Sequence, residues 1–418
     1  MTKTLLSSWP LFFGISMIMV GAGLQGTLLG VRATAEDFSP SMIGLIMSMY
    51  YVGFLGGSHF APEMIRRAGH IRVFTAMTAL AAVSVLLHGL FVAEPLWLFA
   101  RALTGFSYAT LYIVIESWLN ASSDNKTRGK MMATYLVILY ASMAAGQYFL
   151  NLSDPKSADL FMTVAILVTL SVLPITLSTR PAPTFDKTEK VSLKTLFKTS
   201  PLGVYGLFAS GMASACLFSI SPVYAAEEGF TLPQISTFMA ITILGGVSMQ
   251  FPIGHLSDRF DRRRVLIAIS FATAFFCALA IPLSGLGVYA LFLSMFMIGG
   301  TSLTIYGLAS AHTNDHLSGT QLVGASASMI LVNGLGAIAG PSVSASLMDI
   351  FGSSMLFVFM GTVYGSIGVY GLYRTRKRGP VPMDMQAQFV PQPSPSSAMT
   401  LQPAREQHNQ KDAMEIAS

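Results

Sequence analysis

Long apolar runs set the rhythm of this chain. Twelve can be drawn, over residues 9–31, 41–60, 72–93, 95–119, 131–152, 159–178, 202–224, 235–254, 265–284, 287–311, 321–347 and 354–373. Each reaches the roughly 20 residues that a helix needs to cross the hydrocarbon core of a bilayer. Charged residues gather in the short segments between them. Inside lipid every backbone N–H and C=O needs an internal partner, so the runs predict α-helices. Their Gly and Pro content would count against helix in water but is usual in membrane spans. The pattern predicts an all-α polytopic membrane protein with 12 transmembrane helices in two six-helix repeats.

The basic residues say which segments share a side. With the N-terminus in the cytoplasm, alternate segments collect 22 of the 25 Lys and Arg, leaving Arg32, Arg101 and Lys156 elsewhere. The opposite orientation would invert that ratio, so both termini are expected in the cytoplasm. Residues 179–201 form the longest internal connector, with Pro181, Pro183 and five basic residues. They divide an N-terminal bundle (1–178) from a C-terminal bundle (202–373). In residues 374–418 Pro, Gln, Ser and Met replace the apolar period, which predicts a disordered cytoplasmic tail.

The two bundles echo each other. Pro40 and Pro233 open spans 2 and 8, Arg72-Val73 and Arg264-Val265 close the following basic segments, Asn120 and Asn314 end spans 4 and 10, and Gly146 and Gly340 lie in spans 5 and 11. The offsets are 193, 192, 194 and 194. A near-constant offset implies two parallel repeats with a site between them near the bilayer midplane.

Composition narrows the class further. Mean hydropathy is +0.59 and 11% of residues are charged, against about 25% in soluble domains. The net charge of +5 and pI near 9.1 follow from basic cytoplasmic segments. No basic stripe interleaves with aromatics, so the lipid bilayer and not nucleic acid is the expected partner. Cys216 and Cys277 stand singly inside apolar runs, as packing residues. Lys3 and Ala33-Thr34-Ala35 imitate a signal peptide, but Trp9–Val31 is far longer than the roughly 7–15-residue core of one. It is read as the first transmembrane helix. No G-x-x-x-x-G-K-[ST] occurs, so nucleotide hydrolysis is not the expected drive. His312-x-x-Asp315-His316 has the spacing of a zinc-binding pair but no evident further ligand, and no metal or other cofactor is expected.

Gly254–Arg264 carries six formal charges within seven residues, between two apolar runs, and is predicted to be a short loop at the membrane surface. Its pattern, Gly254-x-Leu256-x-Asp258-Arg259-x-x-Arg262-Arg263, resembles the G-x-L-x-D-R-x-x-R-R signature of the major facilitator superfamily. The resemblance covers residues 9–373. Gly26-Thr27-Leu28-Leu29-Gly30-Val31-Arg32, Gly69-His70, Glu116-Ser117-Trp118-Leu119-Asn120, Arg128-Gly129 and Gly146-Gln147 look like the YcaD-like branch. In the first half the corresponding stretch is Pro62–His70. There the repeat offset puts Arg66 in the place of Asp258, with Glu63 nearby as a substitute acid. The resemblance implies a conformational latch formed by Gly254, Asp258, Arg259, Arg262 and Arg263 with Arg66 and Arg67. The plainer alternative is an anchor of topology.

Charges within the spans carry the functional expectation. Glu116 lies in span 4 among Ile113, Val114, Ile115, Trp118 and Leu119. A carboxylate at depth costs about 2.5–3.5 kcal/mol on insertion scales and usually faces the bundle interior or a wet cavity. It is read either as a coupling or substrate group or as half of a structural pair with a basic residue such as Arg128. At 100° per residue, Arg101, Gly105, Tyr108, Tyr112 and Glu116 share one face of span 4. Arg101 and Glu116 are about 22 Å apart along it, so they cannot pair. Arg101-x-x-x-Gly105 resembles the superfamily's span-4 signature, whose Arg is associated with coupling; snorkelling to the outer surface is its alternative. Gln25, Tyr140, Gln147, Gln250 and Asn333 are further cavity candidates, each otherwise a helix-packing hydrogen bond. His88 is a candidate proton carrier or a structural histidine.

Together these features predict a multi-pass secondary active transporter of a small organic solute in the cell inner (plasma) membrane, a monomer with H+ as the default coupling ion by family resemblance. A drug or metabolite exporter and an uncoupled facilitator are the rivals within transport. A receptor or scaffold on a transporter fold is the rival outside it. No nucleophile–base or metal constellation lies in the spans, so an enzyme is not expected.

Overall fold

The computed structural model describes residues 9–121, 128–177, 192–317 and 321–377, together with Gly379, Pro382, Gln386 and Phe389. Most of the expected linker and tail lies outside the described residues. Twelve long helices form the body: α1 (Trp9–Ala35), α2 (Pro40–Ala68), α3 (His70–Leu90), α4 (Glu94–Ala121), α5 (Arg128–Gln147), α6 (Asp159–Leu170), α7 (Pro201–Ser219), α8 (Leu232–Arg259), α9 (Arg262–Ser284), α10 (Val288–Asn314), α11 (Leu322–Phe351) and α12 (Met355–Thr375). A 3₁₀ turn at Tyr148–Leu152 extends α5, Val172–Thr176 extends α6, and Ser221–Glu227 extends α7.

Local signals explain where the helices start. Ser39 Oγ accepts from the Met42 N–H at 3.2 Å, with Pro40 in the first turn of α2. Thr231 and Gln234 form a capping box on α8. Each device satisfies N–H groups that the first turn leaves unpaired. At the turn between α2 and α3, Gly69 has φ +83°, a conformation costly for residues with a Cβ.

The charged stretch of the second half differs from the loop that its composition predicts. Helix α8 runs through Gly254 to Arg259, and α9 begins at Arg262, so the break is Phe260-Asp261 alone. Asp261 caps α9 by accepting from the Arg263 N–H at 3.0 Å. Helices can project beyond hydrocarbon, and a capped start costs less than an open loop with unpaired backbone.

Each half repeats the same packing: α1 on α5 and α7 on α11, α2 on α4 and α8 on α10, α3 on α6 and α9 on α12. Close approach at small residues makes this possible. A Cβ on Gly53 would overlap the Ala102 carbonyl, and one on Gly105 the Tyr50 carbonyl. In the second half Gly245 meets Phe296 and Gly299 meets Thr242 in the same way. These pairs stand 192 and 194 residues apart, so the repeat holds at the level of crossings. Without a hydrophobic drive between helices in lipid, such contact packing supplies much of the association. Phe275, Leu293, Ile350 and Val369 remain exposed on the outside of the bundle, as lipid-facing positions require.

The halves join along α2–α11, along α5–α8 and between α1 and Ser221–Glu227. Ser41 donates to Asp349 at 2.6 Å, Ser48 and Ser342 hydroxyls lie 2.8 Å apart, and Asn151 donates to Ser236 Oγ at 3.0 Å. These bonds lie at and below the bundle end opposite the basic residues, hereafter the outer end.

Candidate functional site

A cavity of about 980 Å³, counted out to its mouth, lies between the halves. Helices α1, α2, α4 and α5 supply most of its wall, with Phe218, Ser219 and Met239 contributed by the second half. The site therefore sits where the repeat predicts, but its polar groups are concentrated in the first half.

Helix α4 gives the wall its axis. Arg101, Tyr108, Tyr112 and Glu116 all line the cavity, because their spacing keeps them on one face. Near the outer end Arg101 is 93% buried; its guanidinium carbon lies 4.7 Å from the centre of the Tyr50 ring, a cation–π contact. It is not snorkelling, since α2 covers it: Tyr50 and Phe54 pack where Gly53 and Gly105 let the two backbones touch. Tyr50, Tyr108 and Tyr112 continue inward as a tilted ring ladder, with centroids 6.5 and 6.2 Å apart. Tyr112 also directs its hydroxyl to Met19 Sδ at 3.8 Å. At the other end Glu116 is 1% exposed, and its Oε1 accepts from the Tyr135 hydroxyl at 3.1 Å.

The remaining candidates divide between the cavity and the packing around it. Gln25, Tyr140 and Gln147 line the cavity. Gln147 also bolts α5 to α1: Thr27 donates to its Oε1 at 2.5 Å and its Nε2 donates to the Gly23 carbonyl at 2.9 Å. Asn333 stands outside, donating to the Leu207 carbonyl at 3.0 Å and so fixing α11 on α7. Gln250 is buried and also outside the cavity wall. His88 lies behind the wall, its Nδ1 2.7 Å from the Ser84 carbonyl and its ring edge-on to Trp97. Tyr50, Tyr51 and Tyr135 also line the cavity, beyond the candidates expected from the sequence. A signal existed for the first: Tyr50 is three residues before Gly53 and shares its face.

The latch residues are placed as follows. Arg262, 2% exposed, lies between α8 and α10. Its Nη1 donates to both carboxylate oxygens of Asp315 at 2.7 Å, and its Nε donates to Ser257 at 3.0 Å. Asp258 is 3.6 Å from the same guanidinium and also accepts the Phe389 N–H at 2.7 Å. The Phe389 ring rests against Gly254 and Gly307. Arg263 stands 3.6 Å from Asp261, and Arg259 is exposed. In the first half Arg66 donates to Glu63 at 2.8 Å, and Arg67 bonds the same carboxylate. Among the described residues no group of three or more His, Cys, Asp or Glu is placed to hold a metal.

Comparison with known proteins agrees with this architecture. The model of the Major Facilitator Superfamily matches residues 11–248 and again residues 204–388. The chain belongs to this superfamily. It is 25% identical over 355 residues to the MFS-type transporter YcaD of Escherichia fergusonii, covering 84% of this chain and 92% of that one. It is 26% identical over 374 residues to an MFS-type transporter of Enterobacter sp. (strain 638), covering 89% and 96%. In fold it is similar to the nucleoside transporter NupG (TM-score 0.75, 14% identity, 89% and 100% covered). A second neighbour is a bacterial homologue of the human lysosomal transporter Spinster, solved inward-facing and unoccupied (TM-score 0.65, 12% identity, 97% and 98% covered). The superfamily member described here is thus a multi-pass membrane protein for secondary transport of a small solute.

Proposed function

We propose that the chain is a proton-coupled carrier of a small organic solute, working by alternating access in the cell inner membrane as a monomer. The basic end and both termini face the cytoplasm, and the chain has no enzymatic activity of its own. Glu116 carries the coupling part of this reading. A carboxylate buried in the wall of a cavity between the halves, with Tyr135 as donor, can exchange a proton with the cavity while lipid stays excluded.

The contacts between halves support the alternating part. Ser41–Asp349, Ser48–Ser342 and Asn151–Ser236 hold the outer end together, and all three would break when residues 9–178 rock against 202–373. Hydroxyl, amide and exposed carboxylate partners are suited to this, because each broken bond exchanges for one to water at small net cost.

The test uses purified protein in liposomes loaded with a pH-sensitive dye and challenged with a metabolite and drug panel. Flux in the wild type should move the lumenal pH, and Glu116→Gln should keep solute exchange while losing the pH change. A pH change that persists in Glu116→Gln removes Glu116 from coupling. Solute flux without any pH change in the wild type makes the protein an uncoupled facilitator.

A further inference from the structure

The cavity wall holds more hydrogen-bond donors than it uses. Arg101 Nε, the Tyr108 hydroxyl and Gln25 Nε2 are all buried, and among the described residues none of the three atoms has a hydrogen-bond partner. All three residues line the same cavity. Arg101 makes no ion pair with a described carboxylate. Its observed partner is the Tyr50 ring, which carries no carboxylate. Glu116 is about 22 Å away along α4, too far to neutralise it.

A buried guanidinium is stable only when its charge is compensated. Here the face of Tyr50 covers one side at 4.7 Å, which leaves the in-plane N–H groups without an acceptor. Those groups form a planar fork that matches a carboxylate with two parallel bonds, whereas an ammonium offers no acceptor and a neutral amide offers one oxygen without charge. The same wall also carries soft apolar side chains: Met19, Met143, Phe218 and Met239. Flexible thioethers and ring faces accommodate a hydrocarbon or aromatic body without dictating its shape.

We infer that the transported solute is an amphipathic organic monocarboxylate, its carboxylate held by Arg101 with Tyr108 and Gln25, and its apolar body lying against the methionines and Phe218. Loading then neutralises the cavity's buried cation, so the occupied carrier crosses between its two states without an exposed charge. This rests on the transport reading above and names its substrate class.

The experiment is a thermal-shift titration of the full-length purified protein at constant ionic strength. The probes are isosteric sets: benzoate, benzamide and benzylamine, and hexanoate, hexanamide and hexylamine. Binding to the folded state stabilises it by RT ln(1 + L/Kd), with L the free probe concentration, and so raises the melting temperature. At least one carboxylate should bind at least 10-fold more tightly than its amide, and Arg101→Gln should erase that preference while Arg101→Lys retains part of it. Tyr108→Phe serves if the Arg101 variants do not fold, and should weaken the carboxylate more than the amide. Equal or better protection by amides or amines, no protection by either carboxylate, or a preference that survives in folded Arg101→Gln, overturns the inference. Proteoliposome flux separates the two readings. Carboxylate binding without flux of any solute leaves the assignment and removes the transport reading, whereas flux restricted to neutral or cationic solutes does the reverse.

Discussion

Arg262 and Asp315 form a buried bidentate pair, each side chain 2% exposed, that ties the start of α9 to the end of α10. At the repeat offset of 192, Arg262 corresponds to His70. That histidine bonds Ser117 at 2.9 Å, and its ring lies edge-on to Trp118. The two halves therefore solve the same junction differently, one by an ion pair and one by a neutral contact. Removing one partner of a buried pair leaves an uncompensated charge and costs about 3–5 kcal/mol. Asp315→Leu and Arg262→Met should each lower the melting temperature of the purified protein sharply. The double variant Arg262→Met/Asp315→Leu should recover much of the loss. Additive losses in the double variant would mean the pair contributes nothing as a pair.

Phe389 changes what truncation of the tail is expected to do. Its N–H is bonded to Asp258, and its ring wedges against Gly254 and Gly307 on α8 and α10. A wedge between two helix ends resists their relative motion. Deleting residues 379–418 should preserve transport, as a carrier requires and a tail-signalling scaffold does not. It should also raise the flux rate in proteoliposomes, and Phe389→Ala should reproduce the increase. A truncated chain that folds but transports nothing would contradict this.

Two glycines of the first half should respond in opposite ways to the same change. A Cβ at Gly105 would overlap the Tyr50 carbonyl, whereas nothing lies within 4 Å of one at Gly26. Overpacking costs about 1–3 kcal/mol when only side chains must yield, and a backbone contact yields less easily. Gly105→Ala should destabilise by at least that range and reduce folded yield. Gly26→Ala should fold normally and alter only solute affinity, since Gly26 lines the cavity. Denaturation midpoints and ligand titrations of the two variants make the comparison.

Glu227 gives the outer end a pH dependence. Partial desolvation, and then the carboxylates of Asp349 and Glu228, hold it above the usual carboxylate range. A group with a raised folded-state pKa stabilises the fold below its unfolded value of about 4.3, and that contribution is lost as pH rises through the folded value. Mild acidification from neutral should therefore raise the melting temperature slightly. Glu227→Gln should raise it at neutral pH and flatten the acid response. The side chain is solvent-exposed, so screening keeps the effect below about 1 kcal/mol. An unchanged pH profile in Glu227→Gln would assign the response elsewhere.

Much of this was legible in one dimension. Hydrocarbon thickness dictates span length, and the need to pair backbone groups dictates helix, so twelve runs become twelve helices with no reference to their neighbours. The repeat offset placed the cavity between the halves. The 100° rotation placed Arg101, Tyr108, Tyr112 and Glu116 on one face, and all four reach the cavity.

What remained hidden depends on how each helix is turned against the others. An isolated polar residue in an apolar span either faces a cavity or bonds a neighbouring helix, and its own sequence context is the same in both cases. Gln147 does both, while Asn333 packs α11 on α7. Tyr50 and Tyr135 became partners of Arg101 and Glu116 only when α2 and α5 were laid against α4. Arg262 found Asp315 across 53 residues, a separation that no local pattern bridges. The sequence by itself determined the helices, their repeat and the charged face of α4, because these follow from local geometry and the lipid solvent. Tertiary structure alone decided which charges are compensated and which, like Arg101, have no acidic partner among the described residues, because compensation is a matter of contact between helices.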